Sequence, residues 1–136
     1  MTYLLDTNVV SESQRKKPNK AVMAWLDSIN EAELFLSRIT IGEIHAGAEK
    51  LRGREPRRSS NIENWLAEIE TFYDERILPL TDSIIVQWGK LYAFNKSNPI
   101  DMLIAATAIE HHLVVVTRNT KDFQQTGLEL LNPWQE

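Results

Sequence analysis

The sequence predicts an α/β domain built on a parallel or mostly parallel sheet with helices on both faces. Three observations carry this. Short apolar runs alternate along the chain with segments whose apolar residues recur at helical spacing, the pattern of repeated strand–helix units. The run Leu113-Val114-Val115-Val116-Thr117 is almost wholly β-branched, as in a strand buried on both sides. Polar residues follow the strand-like runs directly, and in open parallel sheets ligands bind outside those carboxyl ends.

Tyr3 to Leu5 form the first strand, stopped by Asp6-Thr7-Asn8. Val22, Trp25, Leu26 and Ile29 fall at i, i+3, i+4, i+7 and follow Pro18-Asn19, which supplies a break and a cap, so an amphipathic helix begins there. Leu34 to Leu36 read as a second strand. Thr40 with Glu43 three residues later fits the capping box of a helix running toward Leu51. A basic connection with Gly53 and Pro56 spans residues 50–58. Ile62, Trp65, Leu66, Ile69, Phe72 and Tyr73 then make the longest helical stripe, so a helical hairpin is expected. Ile77 to Leu80 suit a short edge strand because Pro79 has no N–H for a ladder, and Asp82 is expected to cap a helix carrying Ile85, Trp88, Leu91 and Tyr92. Pro99 opens an alanine-rich helix ending near His112, which flows into the Val114 to Thr117 strand, and Leu128 to Leu131 form the last strand.

Composition narrows the class. The chain has 136 residues, 43% apolar and 25% charged, which suits a single domain spanning residues 1–136. It has no cysteine, which excludes disulfides, thiolate metal sites and a cysteine nucleophile. No run reaches the roughly 18 to 20 apolar residues of a membrane span. The N-terminus lacks a basic segment and meets Asp6 before a signal core forms, so no membrane association is expected and the cytoplasm is the expected location. The net charge of −4 argues by itself against a polyanionic partner.

Four carboxylates occupy positions where chemistry is expected. Asp6 ends the first strand, Asp122 follows the Val114 to Thr117 strand, and Glu43 and Asp101 lie in the first turns of two helices. Each has a structural reading as well: an Asx-turn or cap for Asp6, a capping box for Glu43, a helix-dipole partner for Asp101, a turn cap for Asp122. If they converge, like charges raise one another's pKa unless a hard cation lies among them, and all-oxygen donors suit Mg²⁺ or Mn²⁺.

Four segments share a further likeness: Leu4-Leu5-Asp6-Thr7-Asn8-Val9-Val10-Ser11-Glu12, Thr40-Ile41-Gly42-Glu43-Ile44, the run from Pro99 to Ala108 that holds Asp101, and Val115-Val116-Thr117-Arg118-Asn119-Thr120-Lys121-Asp122-Phe123. In order and spacing the chain resembles the PIN-domain ribonucleases, specifically the VapC-type toxins of bacterial toxin–antitoxin pairs. The resemblance covers essentially the whole chain. It implies a PIN-like three-layer α/β/α fold with about five strands, and Asp6, Glu43, Asp101 and Asp122 converging as metal ligands and catalytic groups. It further implies one or two Mg²⁺ or Mn²⁺ ions, and hydrolysis of RNA, from tRNA or ribosomal RNA, by metal-activated water that inhibits translation. Thr7, Thr117 and Asn119 are expected to support the carboxylates. Some relatives carry an acid at the position of Asn119, so charge for a second ion is reduced here.

The expected partners are the RNA substrate, a neutralising VapB-type antitoxin and a second copy of the chain in a homodimer, with DNA reached only through the antitoxin. Arg15, Lys16, Lys17 and Lys20 form one basic cluster, and Lys50, Arg52, Arg54, Arg57 and Arg58 another; each reads as a solvated face, a phosphate track or an antitoxin contact. The four tryptophans read mostly as core, and His45, turned about 200° from Glu43 on a helix, receives no role. An aspartyl-nucleophile phosphatase needs a second Asp where Asn8 stands, and a receiver domain needs paired acids after the first strand; both fail. A catalytically inactive PIN-like module that binds RNA or protein is the remaining alternative.

Overall fold

The computed structural model describes residues 1–95 and 98–134. Five strands, β1 (Tyr3–Leu5), β2 (Leu34–Ser37), β3 (Ile77–Leu78), β4 (Val114–Val116) and β5 (Leu130–Leu131), form one parallel sheet in the order β3-β2-β1-β4-β5. The helices are α1 (Thr7–Val10), α2 (Lys20–Ser28), α3 (Arg38–Leu51), α4 (Pro56–Tyr73), α5 (Asp82–Phe94) and α6 (Pro99–His111). Among the described residues no helix is long and apolar enough to cross a membrane.

Strand alternation sorts the core into two layers. Tyr3, Leu5, Val114 and Val116 face a cluster with Val22, Ile41, Ile44 and Leu66, on the side of α2, α3 and α4. Leu4 and Val115 face the opposite cluster with Ile104, Ala105, Ala108 and Phe123, on the side of α6. A side-chain period of two delivers alternate residues to opposite faces, so a strand covered on both sides must be apolar throughout, as β1 and β4 are. The fold is therefore the three-layer α/β/α arrangement.

Two caps differ from expectation, and one of them concerns Glu43. Ser37, not Thr40, caps α3, its hydroxyl accepting from Ile39 N at 3.2 Å. The helix thus starts one turn early, Thr40 is buried inside it, and Glu43 is released from any capping box. Thr81, not Asp82, caps α5, accepting from Ile84 N at 3.2 Å, which leaves Asp82 as the first helical residue. In both places neighbouring residues compete for the same orphan N–H groups, and the one with extended backbone takes the role.

Other boundaries tighten. The α3–α4 hairpin forms, but its connection shrinks to residues 52–55, so Arg57 and Arg58 are helical. Pro79 ends β3 after two residues, and β3 is an edge strand, as expected of a proline-terminated run. The final strand begins at Leu130, later than expected. His112 adopts the left-handed conformation (φ 56°) at the end of α6, and Leu113 N bonds back to Ala108 O at 2.9 Å. This C-cap turns the chain from α6 into β4 without a linker.

The order of the strands fixes where a site can lie. From β1 the chain passes to β2 on one side, and β4 later adds on the other, so the crevice at the carboxyl ends of β1 and β4 is the topological switch point of the sheet.

Candidate active site

Asp6 stands at that switch point, immediately beyond β1. Its backbone N–H donates to Val116 O at 2.9 Å, continuing the ladder to β4 for one residue past the strand. The side chain is nearly buried, at 5% exposure, and fully engaged: Oδ1 accepts from Thr7 N at 2.8 Å, and Oδ2 accepts from Thr117 Oγ1 at 2.7 Å and Asn8 Nδ2 at 3.4 Å. Asp6 is therefore the helix cap of α1 and, at the same time, a carboxylate held at the switch point. Burial pushes its pKa up, the hydrogen bonds from Thr117 and Thr7 pull it down, and the charge of Asp122 raises it again.

Glu43 comes from α3, on the far side of β1. The Thr7 hydroxyl donates to its Oε1 at 2.5 Å and lies 3.4 Å from Thr40 Oγ1. Burial is the main reason its pKa is raised; Thr7 opposes the shift and Asp6 adds to it.

Asp101 lies in the first turn of α6, whose N-cap Asn98 accepts from Ile100 N at 2.8 Å. It is half-buried, and its side chain makes no hydrogen bond among the described residues. Its pKa is pushed up to about 7, first by burial and then by the charges of Asp6, Asp122 and Glu43 in that order. All three other carboxylates act on this one group, so the four predicted residues are gathered at one edge of the sheet.

Asp122 reaches the edge from the 3₁₀ turn Thr120–Thr126 after β4 and remains exposed. Thr117, wholly buried, links this turn to the site: it donates to Asp6 and accepts from Asn119 N at 3.0 Å. Asn119 thus enters through its backbone N–H. Asn8 was not singled out as a supporting residue by sequence, yet it donates to Asp6 and accepts from Arg118 N at 3.3 Å, tying both crossing loops together. Its signal in the sequence is its place in the segment Leu4 to Glu12, two residues after Asp6.

None of the four carboxylates forms an ion pair with a Lys, Arg or His among the described residues. Some basic residues pair elsewhere, as Arg52 does with Glu49 at 2.9 Å and Arg58 with Glu55 at 3.6 Å.

Residues 3–128 match the PIN domain. The chain belongs to the PIN-domain family. Among related proteins, this PIN domain is 34% identical to Toxin FitB of Neisseria gonorrhoeae, over 98% of this chain and 99% of that one. It is also 34% identical to VapC ribonuclease Y4jK of Sinorhizobium fredii, over 97% of each. Among solved structures, that of FitAcB from Neisseria gonorrhoeae superposes with a TM-score of 0.91 at 33% identity, covering 99% of this chain and 100% of that one.

The donor chemistry of this PIN domain fits a hard divalent cation. All four side chains offer oxygen, the other three raise the pKa of Asp101, and among the described residues no cationic side chain pairs with any of them. Among the described residues no three His, Asp or Glu side chains form a ready-made cage.

Proposed function

We propose that this PIN domain is the endoribonuclease toxin of a toxin–antitoxin pair. It hydrolyses phosphodiester bonds of tRNA or ribosomal RNA, inhibits translation and is neutralised by a cognate VapB-type antitoxin. One observation carries the reading: four carboxylates share one sheet edge, none paired with a basic side chain among the described residues, and Asp101 bears the cost. The names VapC ribonuclease Y4jK and Toxin FitB support the class of activity, and the similar solved structures of a toxin–antitoxin complex from Klebsiella pneumoniae and of FitAB bound to a DNA fragment support an antitoxin partner.

In this reading Asp6 and Asp101 are the direct ligands of Mg²⁺ or Mn²⁺, Glu43 completes the shell or orients a coordinated water, and Asp122 serves a second ion or an outer water. The bound ion supplies an activated water and stabilises charge developing on phosphorus. The chain's own part is orientation. Thr117 and Asn8 fix Asp6, Thr7 fixes Glu43, and the buried ladder beneath them stops the cluster from spreading. A homodimer is part of the proposal; α5 exposes Ile85, Val86 and Phe94 as apolar surface.

Purified protein incubated with bulk tRNA and ribosomal RNA plus Mg²⁺ or Mn²⁺ tests the reading. Cleavage that chelator abolishes and Asp101→Asn removes is the expected result. Equal cleavage by wild type and variant overturns it, and absence of cleavage with retained RNA binding favours the inactive binding module.

A further inference from the structure

A cleft of about 870 Å³ opens from Thr7 and Glu43, and its lining includes Arg15, Lys16, Lys17 and, from α4, Arg58. All four basic side chains are exposed. Three of them lie on the segment between the 3₁₀ turn Ser11–Gln14 and α2, and an unusual carboxylate holds that segment. Glu12 is 2% exposed; its Oε2 accepts from Asn19 N at 2.7 Å and its Oε1 stands 3.6 Å from Arg15 Nη1. Asn19 in turn caps α2, its side chain accepting from Ala21 N and Val22 N. A buried carboxylate is expensive unless hydrogen-bonded, so Glu12 pins both ends of the segment and fixes the path of residues 15–19.

Fixing three adjacent cations beside one another is unfavourable by itself. Arg15 has Glu12 and Arg58 has Glu55 at 3.6 Å, whereas Lys16 and Lys17 form no ion pair among the described residues. Thr7 and Glu43 line the same cleft, so a polymer with its reacting bond at the carboxylates has a path along it. Four basic side chains outnumber Glu43 and Glu55 in the lining, so the net charge favours a phosphate backbone, and a basic groove of this kind suits a single strand.

We propose that this Glu12-held arm, with Arg58 across the cleft, grips the phosphates of single-stranded RNA flanking the scissile bond, Glu12 being a positioning residue. The proposal rests on the ribonuclease reading but is tested apart from cleavage. Binding of a fluorescent oligouridylate to full-length protein is followed by anisotropy in chelator over a range of salt. Lys16→Ala/Lys17→Ala is expected to bind about tenfold more weakly near about 0.1 M salt, with the slope of log K against log[salt] shallower by about 1.4, or about 0.7 per lost phosphate contact. Glu12→Ala is expected to show the same loss and Glu12→Gln to restore binding, because the amide oxygen still accepts from Asn19 N.

Unchanged affinity and slope in the double lysine variant overturns the proposal, as does a variant that binds RNA normally but loses capture of a co-expressed antitoxin. If Glu12→Ala fails to fold by circular dichroism, the lysine pair alone decides. RNA gripped through the arm but never cut by the wild type, with metal present, contradicts the ribonuclease reading and leaves the arm standing.

Discussion

The buried Thr117 hydroxyl donates to Asp6 Oδ2 at 2.7 Å, joining residues 111 positions apart at the crevice between β1 and β4. Because the same oxygen accepts from Asn119 N, one hydroxyl orients a carboxylate and anchors the turn that carries Asp122. Thr117→Val keeps the shape and removes both functions. It is expected to destabilise the protein by about 1–3 kcal/mol in urea melts, the cost of unmatched buried polar atoms. It is also expected to weaken Mn²⁺ affinity by about 10- to 100-fold, the usual effect of losing a group that orients a ligand. A variant as stable as wild type with unaltered affinity contradicts this role.

The Thr7–Glu43 bond makes a parallel prediction on the α3 side. Thr7→Val leaves Asp6 capping α1 through the backbone N–H but frees Glu43 to rotate. The expected outcome is a loss of cleavage rate of about tenfold or more, with a stability change of about 1 kcal/mol, measured by single-turnover RNA cleavage and thermal melting.

The pH dependence follows from Asp101. A carboxyl whose folded pKa, about 7, lies above its unfolded value of 3.8 binds more protons when folded between those limits. Stability of the metal-free protein therefore falls as pH rises from about 4 to about 7. Asp6 and Glu43, both raised, act in the same direction. Thermal melts in chelator are expected to give a higher Tm at pH 5 than at pH 8. Asp101→Asn should flatten the difference, and Mg²⁺ should raise the Tm at pH 8. A Tm that rises with pH in chelator contradicts the raised pKa of these buried carboxyl groups.

A core variant separates site effects from packing effects. Leu4 is fully buried in the layer with Ile104 and Phe123. Leu4→Ala is expected to cost about 2–5 kcal/mol in urea melts while leaving the sign of the pH dependence unchanged.

Strand identities and those of the five longer helices are legible because they rest on local signals: the β-branched run of β4, the i, i+3, i+4 stripe of α2, and Asn19 and Pro99 at helix starts; the single turn α1 is too short to carry a stripe and is not expected from the sequence. Caps at Ser37 and Thr81 were missed because Ser37 and Thr40, or Thr81 and Asp82, offer equivalent side-chain oxygens, and only backbone conformation selects between them. The four carboxylates stood out as strand ends and first turns. Their mutual pressure on Asp101 did not, because it depends on burial and on separations set by strand order. Asn8 and Thr117 illustrate the same limit: each acts across the β1–β4 crevice, which no local spacing encodes. Glu12 read as part of a motif, and only its burial reveals the tether to Asn19.

Calorimetric titration of Mn²⁺ into the wild type, Asp6→Asn and Asp101→Asn tests most directly whether the gathered carboxylates form a divalent-ion site. Saturable binding to the wild type, weakened at least about tenfold by either substitution with release of protons near pH 7, is the expected result. Equal binding by all three proteins, or none by the wild type, contradicts it.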